Sequence, residues 1–398
     1  MDLSFGPKYE SLRQEVRRFI AEHGHLAPVS MLDLLGGDRP KTRAWQELLL
    51  ARGYVARAVP KEYGGFGAPL DPLESHIIAE EFAQAQVSPG FRGQGIAYLV
   101  PALLELATEE QKRRFVPPTL TTEIIWCEGY SEPNAGSDLA SLSTSARLEG
   151  DHWIVNGQKI WTSTAESADW MFCLVRTEPD APKHQGLSFL LFSMRTPGIR
   201  VRPLKTMTGD AHFNEVFFTD VRVPADQIVG RRGEGWLVAN NVLLHERDDL
   251  GDPDATLERL GALVELMKRE TADGRRVIDN ASFRDRLLRL QGRVMALRYN
   301  HLRLLSAKLN RKDAPLAAMI VKLQGTELRH ELEGLAVDAL GEFGILYDEG
   351  RHLRDQGSWQ TLYMFYLGLI IGGGTSQIQK NIISERGLGM PREPKLKA

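Results

Sequence analysis

Three short segments and one Glu-Arg pair carry the residue types that could do chemistry. Gly129-Tyr130-Ser131-Glu132-Pro133-Asn134-Ala135-Gly136-Ser137-Asp138 is a turn-rich polar run offering hydroxyls and free backbone N–H groups. Such a run can hold a heterocycle or a phosphate, or it can be only a tight turn, and its composition leaves both open. Asn156-Gly157-Gln158-Lys159-Ile160-Trp161-Thr162-Ser163 follows Trp153-Ile154-Val155. Asn-Gly readily takes the positive φ values of a type I′ turn, so a β-hairpin is expected there. Gly372-Gly373-Gly374 leads into Thr375-Ser376-Gln377 and on to Arg386. In Leu243-Leu244-His245-Glu246-Arg247, helical spacing puts Ala239, Val242 and Leu250 on the face of Glu246. Apolar neighbours would desolvate that carboxylate and strengthen it as a base, whereas a surface glutamate paired with Arg247 would be inert.

The elements that must position these groups fall into three zones. Up to about residue 120 the chain reads as helical, with stripes at Leu12, Val16, Phe19 and Ile20 and at Ile77, Ile78 and Phe82. Tyr63-Gly64-Gly65-Phe66-Gly67 interrupts them without a preceding strand and reads as a loop rather than a dinucleotide fingerprint. From 121 to 231 short β-like runs at 169–176, 186–193 and 213–223 alternate with Pro, Gly and Asp clusters. From 232 to 398 the period returns to helix: Phe283, Leu287, Leu290, Val294, Leu297, His301 and Leu304 keep the spacing of a bundle seam, and stripes recur at 255–269, 316–339 and 359–370. The fold class expected is α+β but mainly α, with domains at 1–120 (helical), 121–231 (β) and 232–398 (a four-helix bundle).

Bulk properties narrow the partners. A formal charge of −3 over 398 residues gives no field favouring nucleic acid or an anionic membrane. Basic pairs such as Arg231–Arg232 and Arg275–Arg276 read as solvated faces or local anion contacts. No run approaches the ~20 apolar residues of a membrane helix, and the N-terminus lacks a secretory pattern. Cys127 and Cys173 have neither metal nor redox spacing, so reduced thiols and a cytoplasmic location are expected and no metal is.

The run 129–138 resembles the signature of the acyl-CoA dehydrogenase family, with Tyr130 where an aliphatic residue is usual. The runs 156–163 and 374–386 resemble two further family segments in the same order, so the resemblance spans nearly the whole chain. It implies a flavoprotein that binds FAD, takes an acyl-CoA substrate, passes electrons to an electron-transfer flavoprotein and assembles as a homotetramer or heterotetramer. Residue by residue, it implies that Trp161 covers the flavin ring, Ser163 bonds near its N5 and Ser131 bonds its pyrimidine end. Tyr130, Ser137, Thr375 and Gln377 are further expected contacts. No Cys or His stands at an evident attachment point in these motifs, so the flavin is expected to be noncovalent.

Many family members place the base immediately before the last Gly-Thr. Here that position is Gly373, which has no proton acceptor. A minority of the family takes its base from a Glu-Arg pair on the helix that opens the last zone, and the match is Glu246-Arg247. The expected catalytic pair is therefore Glu246 as base and the Gly373 backbone N–H as donor to the thioester carbonyl. Two segments depart from the family pattern for FAD held across subunits: Arg275-Arg276-Val277-Ile278-Asp279, and Asp338 to Gly344 around Gly341. Arg275 and Gly341 are retained as expected cofactor contacts, and the departures open the heteromeric reading. An acyl-CoA oxidase, a related flavin monooxygenase and a non-catalytic subunit are the alternatives.

Overall fold

The computed structural model describes residues 6–28, 39–272, 274–310, 312, 314–347 and 350–392. It divides into two compact units, Met1–His245 and Glu246–Ala398.

The first unit opens with helices α1 (Pro7–His23), α2 (Arg39–Arg52), α3 (Pro72–Gln84), α4 (Val100–Leu106) and α5 (Glu109–Leu120). The expected stripes face inward: Val16 and Phe19 of α1 meet Ile78 and Phe82 of α3 and Trp45 of α2 in one cluster. Side chains close the helix starts as the sequence allows. Asp71 accepts from the Leu73 and Glu74 N–H groups, and Thr108 with Gln111 forms a capping box on α5. Tyr63–Gly67 is a short turn and loop, as its glycines suggest.

Eight strands follow: β1 (Trp126–Gly129), β2 (Ser145–Glu149), β3 (His152–Ser163), β4 (Trp170–Arg176), β5 (Leu187–Ser193), β6 (Ile199–Leu204), β7 (Phe213–Pro224) and β8 (Ile228–Val229). They form one sheet in the order β6-β7-β3-β2-β4-β5-β8, with β1 parallel to β4. β4 is apolar on both faces because both are covered: Phe172 and Leu174 enter one cluster, Met171, Cys173 and Val175 the other. Both cysteines are free and buried.

The hairpin expected at Asn156-Gly157 is not there. β3 runs unbroken through both residues, and the reversal lies at Gly150-Asp151, where Glu149 pairs with His152. Asn156-Gly157 instead marks a register shift against β7, between Val155 and Gly157. The Asn156 amide donates to Asp220 and accepts from the Asp220 N–H, at 3.0 and 2.9 Å. Gly157 has φ 146°, and a Cβ there would stand 2.7 Å from the Thr144 Cα. Only Gly157 of the pair takes a positive φ, and it serves a β-bulge rather than a turn.

Helix α6 (Gly235–Leu250) runs across the division between the units. The second unit contains α7 (Pro253–Arg269), α8 (Ala281–Leu309), α9 (Pro315–Met319), α10 (Val321–Ala339), α11 (Ser358–Ile371) and α12 (Ser376–Ile382). The stripe expected at 316–339 is two helices, α9 and α10. α7, α8, α10 and α11 pack together around Leu263, Met267, Leu290, Val294, Leu328, Leu332 and Trp359. Of the seam read on α8, Leu287, Leu290, Val294 and Leu297 are buried, while Phe283, His301 and Leu304 at its ends are only partly covered. Across the bundle, Arg259 forks onto the buried Glu333 at 2.6 and 2.8 Å. No helix among the described residues is long and apolar enough to cross a membrane.

Candidate active site

In the first unit, a buried ion pair fastens the 129–138 run to β3. The Lys159 ammonium, without exposed surface, donates to the Glu132 carboxylate at 2.9 Å and to the Tyr130 carbonyl at 3.0 Å. Glu132 also accepts from the N–H groups of Ser143 and Thr144. Burial opposes its charge, but Lys159 and these donors win and hold its pKa down at about 2. The run does form a tight turn, Glu132 and Ala135 exchanging both backbone hydrogen bonds at 3.0 and 3.1 Å. Ser131 gives its carbonyl to the Ile160 N–H at 2.9 Å, which sets the run beside the second irregularity of β3.

That irregularity lies between Lys159 and Thr162, where the β7 register slips. Trp161 adopts φ 62°, a left-handed conformation that costs a non-glycine residue roughly 1–2 kcal/mol. Its indole is 57% exposed and touches Phe213 edge-on at 6.0 Å between centroids. A large ring left in solvent on a strained backbone is not a core residue. Ser131 and Ser163 are both partly exposed beside it, leaving hydroxyls and a flat apolar face for a planar heterocycle.

In the second unit, Glu246 and Gly373 come together. A Cβ built on Gly373 would lie 3.6 Å from Glu246 Oε1 and 2.9 Å from Leu250 Cδ1. The carboxylate thus occupies the space a loop side chain at 373 would enter. The turn is glycine-dependent: φ is 63° at Gly373 and 99° at Gly374. Three cationic or amide groups hold it. Arg247 Nε and Gln379 Nε2 each donate to the Gly373 carbonyl at 3.0 Å. Lys322 Nζ donates to the Ile370 carbonyl at 3.0 Å and the Gly374 carbonyl at 2.8 Å. The end of α6 reaches α10 through two glycines, since a Cβ on Gly325 would lie 2.7 Å from the Gly251 Cα.

Arg247 is therefore committed to the loop and not to its neighbour, and the surface-pair alternative for Glu246 does not hold. Glu246 Oε2 is buried and has no hydrogen-bond partner among the described residues. Desolvation pushes the Glu246 pKa up to about 7, against the opposing pull of Arg247 and Lys322. The same burial lowers Lys322 to about 8. A carboxylate poised near neutrality and without a fixed partner is what proton abstraction requires.

The remaining expected residues are placed variously. Tyr130 is 4% exposed and its ring lies edge-on to Phe172 and Phe189, so its side chain is part of the core. Ser137 and Gln377 are exposed. Thr375 caps α12, its hydroxyl accepting from the Ile378 N–H at 3.2 Å. Arg275 is exposed in a two-residue strand paired with Thr271–Ala272, and Gly341 opens the turn after α10 with φ 57°. Both lie in segments other than the Glu246 cluster. Sequence reading missed Glu132, Lys159, Lys322 and Gln379. The available signal was a lone lysine inside an apolar run, as in Ile320-Val321-Lys322-Leu323.

The first unit thus offers an exposed ring on a strained bulge, and the second a carboxylate with a buried, unpartnered oxygen, within a helical, β and helical succession of zones. Models of the acyl-CoA dehydrogenase N-terminal, middle and C-terminal domains match residues 6–123, 127–221 and 233–388. The chain is 38% identical over 393 residues to acyl-CoA dehydrogenase IpdE1 of Mycobacterium tuberculosis (strain ATCC 25618 / H37Rv), covering 97% of this chain and 99% of that one. It superimposes on the structure titled "Tcur3481-Tcur3483 steroid ACAD" with TM-score 0.82 and 29% identity, over 99% of this chain and 100% of that one. Against the ChsE4-ChsE5 complex from Mycobacterium tuberculosis the TM-score is 0.81 at 33% identity, with 99% and 100% covered. The chain belongs to the acyl-CoA dehydrogenase family, whose members are FAD-dependent enzymes.

Proposed function

We propose that the chain dehydrogenates an acyl-CoA thioester between Cα and Cβ to the trans-2-enoyl-CoA, with Glu246 taking the α-proton. The observation that carries this reading is the Glu246 carboxylate, whose Oε2 is buried without a hydrogen-bond partner among the described residues, set against Gly373 where a loop base would otherwise project. Removal of a proton next to a thioester builds negative charge on its carbonyl oxygen, and the Gly373 N–H is the donor assigned to it. Bound FAD supplies the acceptor for the β-hydride. Ser131, Trp161 and Ser163 are the residues assigned to its ring, with Ser137, Thr375, Gln377, Arg275, Gly341 and the Tyr130 backbone as further contacts. The exposed indole and its flanking hydroxyls suit a planar ring of that kind. The same reading sets domain limits at 1–120, 121–231 and 232–398.

Bulky acyl groups, including steroid side chains, are the substrate class. The three glycines at 372–374 remove side-chain bulk beside the base, and one structural relative is titled a steroid enzyme. A second chain completing the assembly is part of this reading, supported by relatives titled as two-component complexes and by the departures at 275–279 and 338–344. A cytoplasmic setting and an electron-transfer flavoprotein as acceptor belong to it as well. The test is anaerobic bleaching of the purified flavoprotein by a panel of acyl-CoA thioesters. Bleaching by bulky thioesters with slow reoxidation in air supports the reading. Fast reoxidation would make the chain an oxidase, and the absence of bleaching by every thioester, with and without a coexpressed homologue, would make it a non-catalytic subunit.

A further inference from the structure

Among the described residues of the second unit, Lys322 both contacts the loop on either side of Gly373 and acts electrostatically on Glu246. It stands on α10, 2% exposed, in an otherwise apolar stretch. Burying an ammonium is costly unless its donors are used. Here they meet two carbonyls four residues apart, Ile370 at the end of α11 and Gly374 at the end of the glycine turn. The Ile370 carbonyl is one of those a helix end leaves without an intrahelical partner, so the ammonium answers a real vacancy. Between those two anchors lie Gly372, extended, and Gly373, left-handed, whose conformations would otherwise be poorly determined.

We propose that Lys322 is a positioning residue for proton transfer: it staples the Ile370 and Gly374 carbonyls, fixes the Gly372–Gly374 turn against the Glu246 carboxylate, and acts on that carboxylate with its positive charge. This rests on Glu246 being the base. The ionisable groups that act on Glu246 are Arg247, Lys322 and Asp249, and those that act on Lys322 are Glu246, Arg247 and Glu327. Arg247 holds only the Gly373 carbonyl, so it cannot replace the two-point staple. The arrangement divides labour: Gln379 and Arg247 orient the peptide after Gly373, while Lys322 sets the turn's two ends.

The experiment compares Lys322→Met, which removes donors and charge, with Lys322→Gln, which keeps a donor without the charge, in flavin-loaded protein. In Lys322→Met the rate of flavin reduction at saturating acyl-CoA falls by about 10- to 100-fold, with a smaller change in half-saturating concentration. Lys322→Gln recovers part of that rate. In both, the Glu246 carboxyl titrates about one pH unit higher, read from its infrared C=O band and assigned by loss of the band in Glu246→Gln. A merely structural lysine would change melting without moving that band. The reciprocal measurement needs no change at Lys322: in Glu246→Gln the Lys322 ammonium titrates lower by a similar amount, read by NMR of labelled lysine. Unmoved midpoints together with an inactive Glu246→Gln overturn the role of Lys322 alone. A Glu246→Gln enzyme that reduces its flavin at nearly the wild-type rate overturns the base and the staple together.

Discussion

Glu246→Gln is expected to weaken catalysis and strengthen the fold at the same time. The substitution keeps size and removes the proton acceptor. Loss of a general base contributes on the order of 10²–10⁴-fold in rate, so acyl-CoA should still bind while flavin reduction and α-hydrogen exchange collapse. The stability side follows from the raised pKa. A carboxyl moved from its ordinary 4.5 to about 7 carries about 3 kcal/mol of differential interaction that disfavours the folded, ionised form. Because the folded pKa lies above the unfolded one, this penalty is absent below the unfolded pKa, grows as pH rises between the two, and is complete above the folded pKa. Glu246→Gln removes it. Lys322 and Arg247 lose a counter-charge in return, so the net gain at pH 8 is at most about 3 kcal/mol. Thermal melts of wild type and variant from pH 5 to 8 measure this, beside stopped-flow flavin reduction. The gap in melting temperature should open with rising pH, and wild-type reduction should rise through about pH 7 as the base ionises. A variant that melts below wild type at every pH would refute the desolvated-carboxylate reasoning.

Adding Gly373→Glu to Glu246→Gln returns a carboxylate to the same space, but at φ 63° with its Cβ 2.9 Å from Leu250 Cδ1. Partial recovery of flavin reduction is expected with a loss of roughly 1–2 kcal/mol in stability, measured by melting. Trp161→Gly relieves a left-handed indole-bearing residue, so the flavin-free protein should melt within about 1 kcal/mol of wild type while flavin affinity drops; a cost of about 3–5 kcal/mol would mark a packed core tryptophan instead. Lys159→Met strands the buried Glu132 carboxylate and should cost about 3–5 kcal/mol at neutral pH. Since the Glu132 pKa is held at about 2, below its ordinary value, the pair's contribution is present above about 4.5 and fades in wild type as pH falls toward 2, which acid titration of stability should show. Denaturing the yellow protein should release all its flavin, and colour that stays with the unfolded chain would sink the noncovalent assignment.

Periodicity made the helices legible because an amphipathic helix writes its buried face directly into the sequence, as Val16 and Phe19 or Leu290 and Val294 do. The strands at 170–176, 187–193 and 213–224 were readable for the same reason, through apolar runs bounded by turn residues. Local pattern failed at Asn156-Gly157, where the dipeptide's freedom of φ was visible but its use was not. A type I′ turn and a bulge draw on the same backbone tolerance, and only pairing with β7 through Asp220 selects between them. Motif resemblance singled out Glu246 and the empty position at Gly373, which lie far apart along the chain. It could not say that the carboxylate stands against that glycine, that Arg247 turns away to the loop carbonyl, or that Lys322 staples the turn from another helix. Those facts depend on helix packing through Gly251 and Gly325, which brings the end of α6 to α10. The sequence by itself determined which groups were available and where the helices and strands would form. Tertiary structure decided which groups lost water and which met a partner, because desolvation and hydrogen bonding are set by neighbours distant in the chain.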